Sequence, residues 1–323
     1  ADLIEQVARD RGRVPRRRGN NVWIEAPGRD PGRPTILLDA HLDTVKPSGA
    51  WLSDPFAPLV RDGKITGLGT NDDGASLVSL LAVFLRLSAR ERPYNLLFSA
   101  SAEEENTGEG GIQTILPDIG PVDFAIVGEP TGMHPAIAEK GLMVLDCTAR
   151  GAAGHAARDE GVNAIYAALP DIAWFREHRF ERVSPLLGPV KTTVTVVSAG
   201  ALHNVVPAEC RFVVDARVNE LYTNEELLDV IRRHVACDVT PRSTRLNSSA
   251  INRAHPAVRR CEALGRVPYA SPTTSNQAVI PYPSLKMGPG DSARSHTANE
   301  YILVDEIREG VEIYEKLLDH LIL

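Results

Sequence analysis

TILLDAHLDTV, residues 35–45, runs four apolar or β-branched residues up to an aspartate and then places His41 and Asp43 two residues apart. The run reads as a buried strand, and the histidine falls where that strand ends. Two other stretches repeat the pattern. YNLLFSAS (94–101) leads into AEEEN, with Glu104 and Glu105, and DFAIV (123–127) leads into GEPT, with Glu129. Each passes from a strand-like run into a Gly- or Pro-marked turn. In open α/β sheets, ligands gather at the carboxyl ends of strands, so these residues are expected to converge. GTNDDG (69–74) adds Asp72 and SHT (295–297) adds His296. Imidazole nitrogen and carboxylate oxygen are the ligands that Zn²⁺ takes, and a pair of ions about 3.5 to 4 Å apart needs a bridging carboxylate and a few terminal ligands. Two histidines and three carboxylates fill that requirement, so the clusters read together as a two-metal hydrolase site.

Each cluster alone has a plainer reading. A histidine at a strand end is more often structural, and an EEE run is usually a solvated acidic face, where Glu103 is expected to stay outside the site. GLGTND resembles a dinucleotide loop only weakly, because Gly67 and Gly69 lack the third glycine at the required spacing. It is the co-occurrence of all five clusters that favours the metal reading.

The chain has 323 residues, with 43% hydrophobic and 24% charged, which is ordinary globular usage for about two domains. A net charge of −7 and a pI near 5.8 argue against nucleic acid and against an anionic membrane as partners. Cys147, Cys210, Cys237 and Cys261 show no CxxC spacing and are expected to be buried thiols. With no signal-like opening and no apolar run of membrane-spanning length, the cytoplasm is the expected compartment.

From NNVWIEA (20–26) to its end, the chain resembles the acetylornithine deacetylase and succinyl-diaminopimelate desuccinylase family of di-zinc amidohydrolases, with several motifs in the same order. The resemblance implies an α/β fold: a zinc-exopeptidase-like catalytic domain, a mixed sheet flanked by helices, carrying an inserted α+β lid and dimerisation domain. It implies Asp72 as the bridging ligand, His41 and Glu129 on one Zn²⁺, Glu105 and His296 on the other, and Co²⁺ as an acceptable substitute. Glu104 matches the family's general base. Asp43 is expected to take the proton of the non-ligating His41 nitrogen and so fix its tautomer. The Asp72–Asp73 pair matches a position where the family has a cis peptide. The resemblance also implies a further helix ahead of ADLIEQVARD (1–10).

The inserted domain is read from a strand at 141–150, a turn holding His155, a helix starting near Gly161, the strands TTVTVVSAG and CRFVVDARV, the helix NEELLDVIRRHV, and a strand around CDVTPRS. That order suggests an antiparallel sheet backed by helices. The catalytic domain is thus expected at 1–142 and 247–323, with the lid at 143–246. Its second part is read as a helix over SSAINRAHPAVRRCEALG, the substrate loop TTSNQAV, and a final helix from about Val304.

By the same resemblance His155 crosses a homodimer interface and assists the oxyanion in the partner's site, while Asn204, Arg217, Thr274 and Ser275 contact substrate. Arg217 suits a carboxylate through its planar fork. The family loop commonly reads TSD where this chain has Thr274, Ser275 and Asn276, a departure that bears on whether the pocket takes a neutral side chain or a second acid. The implied reaction is hydrolysis of an N-acyl amino acid, N-acetylornithine or an N-acetyl- or N-succinylcitrulline of arginine biosynthesis. An N-acyl-lysine deacylase, a di- or tripeptidase of the same superfamily and an inactive metal-binding scaffold are the alternatives. Retention of Glu104 argues against the last.

Overall fold

Every residue of Thr35–His41, Asn95–Ser101 and Phe124–Val127 is buried in the computed structural model, which describes residues 1–158 and 160–323. Apolar side chains on both faces of a strand require cover on both sides, which is the condition for a parallel arrangement. Thr35–His41 accordingly pairs in parallel with Asn95–Ser101, His41 opposite Ser101, and with Phe124–Val127, Asp39 opposite Val127. Ser284–Lys286 extends the parallel set beyond Phe124–Val127. Antiparallel strands Asn21–Glu25 and Pro15–Arg18 close one side. The sheet is therefore mixed, with its longest parallel strands at the centre.

The chain divides into two compact units, Ala1–Ile137 with Ala250–Ala270 and Ser275–Leu323, and Ala138–Ser249 with Ser271–Thr274. The sequence placed these borders near 142 and 246. In the first unit, helix Gly74–Leu87 packs on the His41 strand and against the final helix Val304–Leu318, whose Val311, Ile313, Tyr314, Leu317 and Leu318 are buried. A short sheet of Leu59–Arg61, Lys64–Thr66 and Tyr301–Leu303 ties the chain's seventh decade to its last helix.

The second unit is a four-stranded antiparallel sheet in the order Lys191–Ala199, Glu209–Val218, Gly141–Arg150, Asp238–Pro241, with helices Ala164–Glu177 and Asn224–Arg232. Alternate residues of Gly141–Arg150 are buried, among them Met143, Leu145, Cys147 and Ala149, which join Phe212 and Val214 in one core. Asn163 caps the first helix, so it starts at Ala164 rather than at Gly161, and Thr223 with Glu226 forms a capping box on the second.

Two expectations need correction. The stretch 248–265 is helical only over Pro256–Ala263, because Asn252 bonds the amide of Ala254 in a turn, His255 caps, and Pro256 opens the first helical turn. Cys237 is half-buried, unlike the other three cysteines. No helix among the described residues is long and apolar enough to cross a membrane.

Candidate metal centre

The parallel strands end at one rim, and their endings carry the site. His41 is the last residue of its strand and is 2% exposed. Its Nδ1 lies 2.9 Å from the carbonyl oxygen of Asp43. A carbonyl can only accept, so Nδ1 donates its proton there, which leaves Nε2 as the nitrogen turned to the carboxylates, 3.1 Å from Asp72 Oδ1 and 4.0 Å from Glu129 Oε1.

This amends the expected role of Asp43. Its carboxylate is 3.7 Å from His41 Nδ1, whereas it accepts the backbone N–H groups of Glu104 at 3.1 Å and Glu105 at 3.0 Å. The backbone of Asp43 thus orients His41, and its side chain anchors the turn carrying both glutamates. Burial opposes its ionisation, yet His41 and those amides outweigh it and hold Asp43 below the usual carboxylate range.

Asp72 faces two groups at once. Its Oδ1 meets His41, and its Oδ2 lies 3.6 Å from His296 Nε2, which in turn sits 3.0 Å from Glu105 Oε2. Two donor sets result, His41, Asp72 and Glu129, and Asp72, Glu105 and His296, each with ligand atoms within 4.8 Å of one another. The sharing of Asp72 by both sets, one oxygen to each, is the disposition of a bridging carboxylate. A cis peptide joins Asp72 to Asp73.

The electrostatics fit cations. Burial first, then the charge of Asp72, pushes Glu129 well above its ordinary value and raises Glu105. Lys286, itself buried, partly offsets this at Glu129. Glu104 is driven up to about 7 by burial, opposed by His41 and reinforced by Glu105, Asp72 and Asp43. Burial disfavours the charged form of His41, but Asp43 and Asp72 prevail and hold its pKa well above the usual range. A crowd of mutually repelling carboxylates around two imidazoles is the donor set two dications would satisfy.

The remaining expected residues lie elsewhere. His155 and Asn204 come together in the second unit, where Gly154–His155 pairs with Val205–Val206 and the amide of Ala156 donates to Asn204 O. Both are exposed, and His155 Nδ1 accepts from the Ala157 amide at 3.1 Å. The fork of Arg217 engages Asp215 at 2.8 and 3.1 Å. Thr274 donates to Lys140 O at 3.0 Å, and Ser275 is buried and accepts from the Gln277 amide.

Asn276, in the expected substrate loop, is buried in a hydrogen-bonded cluster. It is 6% exposed, and its amide donates at 2.9 Å to both Asp39 Oδ2 and Ser101 Oγ. Ser99 and Ser101 also donate to Asp39, so the negative charge absent from position 276 stands across from it at 39. Glu103, expected outside, accepts the Gly110 amide at 2.8 Å and braces the loop after the glutamates.

Sequence reading missed Glu300 and Asn71. Glu300 is 2% exposed and accepts the amides of Gly69, Asn71 and Asp72. An acid four residues past His296 in SHTANE was the only local signal.

The profile of Peptidase family M20/M25/M40 matches residues 37–320. Acetylornithine deacetylase of Photorhabdus laumondii is 28% identical over 335 residues, covering 95% of this chain and 84% of that protein. Succinyl-diaminopimelate desuccinylase of a Wolbachia endosymbiont of Culex pipiens is 24% identical over 321 residues, covering 89% of this chain and 79% of that protein. Among solved structures, aminopeptidase PepT of Bacillus cereus superposes with a TM-score of 0.78 at 19% identity, over 99% of this chain and 91% of that one.

Proposed function

Because the chain belongs to peptidase family M20/M25/M40 and is a metal-dependent amidohydrolase, we propose that it hydrolyses the amide of an N-acyl amino acid. N-acetylornithine and N-acetyl- or N-succinylcitrulline are the first substrates to test. The observation that carries this reading is Asp72, which offers one oxygen to each of two donor sets, with the ionisable Glu104 beside Glu105 and outside both. In this reading His41 and Glu129 would hold one ion and Glu105 and His296 the other, with Asp72 common to both donor sets. Zn²⁺ is the ion proposed, with Co²⁺ able to replace it. When bound, the two ions would supply Lewis acidity, polarising the amide carbonyl and making water acidic.

The chain's own groups do the rest. Glu104 takes the proton from the attacking water and delivers it to the departing amine, so one carboxyl acts as base and then acid. Its neighbour's anchoring by Asp43 keeps base and ligand on one fixed turn. His155 is assigned to the oxyanion of a partner copy's site, and Asn204, Arg217, Thr274 and Ser275 to substrate contact. Arg217 would have to exchange Asp215 for the substrate carboxylate. Four cysteines without disulfides accord with a cytoplasmic setting.

The test is a screen of chelator-stripped and Zn²⁺- or Co²⁺-reloaded protein against N-acetylornithine, N-acetylcitrulline, N-succinylornithine, N-acetyl-lysine and free dipeptides. Glu104→Gln should lower kcat by about 10² to 10⁴ with metal retained, whereas Glu105→Gln should lose occupancy of one ion. Full turnover without metal sinks the mechanism. Dipeptides cleaved faster than every N-acyl amino acid would move the protein to the peptidase reading.

A further inference from the structure

Asp72 and His296 are separated by most of the chain, yet their backbones are clasped together by groups that are not among the proposed ligands. Pairing of Lys64–Thr66 with Tyr301–Leu303 sets Thr66 opposite Tyr301, and the Gly67 amide then donates to Glu300 O at 3.0 Å. The Glu300 side chain folds beneath the Asp72 loop. Its Oε1 accepts Asn71 N at 2.9 Å and Asp72 N at 2.8 Å, and Oε2 accepts Gly69 N at 3.1 Å.

Asn71 completes the clasp from the other direction. Its Nδ2 donates to Asp291 O at 3.1 Å and Ser295 Oγ at 3.3 Å, while its Oδ1 accepts Asp291 N at 3.0 Å. Both sides of the clasp depend on glycine. A Cβ on Gly290 would lie 2.3 Å from Asn71 Oδ1, and one on Gly69 would lie 2.4 Å from Thr44 Cγ2, and both glycines have positive φ. His296, one residue after Ser295, itself has φ +59°.

We propose that Glu300 and Asn71 are positioning residues of the metal centre, which hold the Asp72 and His296 segments as one preformed body and so set the affinity of the Asp72, Glu105 and His296 site. The assignment rests on the two-metal reading. A carboxylate receiving three backbone amides fixes the loop's orientation more rigidly than neutral contacts do, since bonds to an ionised acceptor are about twice as strong. Glu300→Gln keeps the volume but turns one of the two acceptor oxygens into a donor, which faces an amide N–H and repels it.

The experiment is Zn²⁺ titration of chelator-stripped protein against a chromogenic chelator, with melting curves of the metal-free forms and kinetics at limiting and saturating Zn²⁺. Wild type should take two ions. Glu300→Gln should bind one of them about 10- to 100-fold more weakly, with kcat recovering at saturating Zn²⁺. Tyr94→Phe serves as the control, since it removes a buried hydroxyl bond to Leu318 O in the same unit. It should lower the melting temperature without changing either affinity. Wild-type-like binding of both ions by Glu300→Gln overturns the proposal, and so does a loss of affinity in Tyr94→Phe that tracks its loss of stability as it does in Glu300→Gln. If Glu300→Gln does not fold, Asn71→Ser takes its place in the same titration, where weakened binding of one ion supports the proposal and wild-type binding of both overturns it. Failure of wild type to take a second ion would instead overturn the two-metal reading and the assignment with it.

Discussion

At the scale of single residues, Asp39 and Asn276 show how a local change is absorbed. Burial pushes Asp39 up to about 6, against the pull of Ser99, Asn276 and Ser101, so it is mostly ionised at neutral pH and needs donors. An amide at 276 supplies one. An aspartate there would set a second carboxylate 2.9 Å away in a buried position, and one of the two would have to stay protonated. Asn276→Asp should therefore destabilise the protein by about 3 to 5 kcal/mol at pH 8, the scale of an uncompensated buried charge. The sign follows from linkage. Folded-state pKa values raised above the unfolded value favour the fold at low pH and lose that contribution as pH rises through them, so the deficit should be smaller at pH 5. Thermal melts at both pH values check this, and Asp39→Asn combined with Asn276→Asp should restore most of the loss. An equal melting temperature for Asn276→Asp and wild type at pH 8 would show that the contact contributes nothing to stability.

Among the elements, strand Lys191–Ala199 stands out because it ends the second unit's sheet and, among the described residues, pairs only with Glu209–Val218. Val196 and Val197 are 53% and 56% exposed on it. An open, apolar edge is a template for pairing with another chain unless it is protected. If two copies join there, Val197→Lys should give a monomer by light scattering. Activity should then fall by about 10² to 10³, the effect of losing an oxyanion donor, because His155 would no longer reach a partner's site. Mixing His155→Ala with Glu104→Gln chains should recover activity in heterodimers. A monomeric variant with undiminished turnover would refute the shared-site arrangement.

For the whole molecule, the charge balance of the rim links metal binding to protons. Without ions, burial and then the charge of Asp72 raise Glu129 well above its ordinary value, Asp43 and Asp72 raise His41 against its burial, and burial drives Glu104 up to about 7. Ligands bind a cation in their deprotonated form, so taking up two ions should release protons and tighten as pH rises. Calorimetry in buffers of different ionisation enthalpy measures this, and heats independent of buffer would contradict it. Nearby dications also lower the pKa of Glu104 from about 7, so kcat/KM should fall on acidification through a midpoint below that value, where the base becomes protonated.

The sequence by itself determined the central strands and the family, because apolar runs ending in His, Glu–Glu and Glu are local patterns that survive without knowledge of their neighbours. TILLDAH and YNLLFSAS declare a buried strand and its functional end in adjacent residues. Only the tertiary structure decided which oxygen of Asp72 faces which histidine, that the Asp43 side chain serves the glutamate turn, and that Asn276 answers Asp39 across the sheet. Glu300 was equally invisible, since its three donors lie more than two hundred residues earlier. Hydrophobic periodicity is written along the chain, whereas hydrogen-bond partnership depends on which segments the fold brings within about 3 Å, and no spacing in the sequence encodes that.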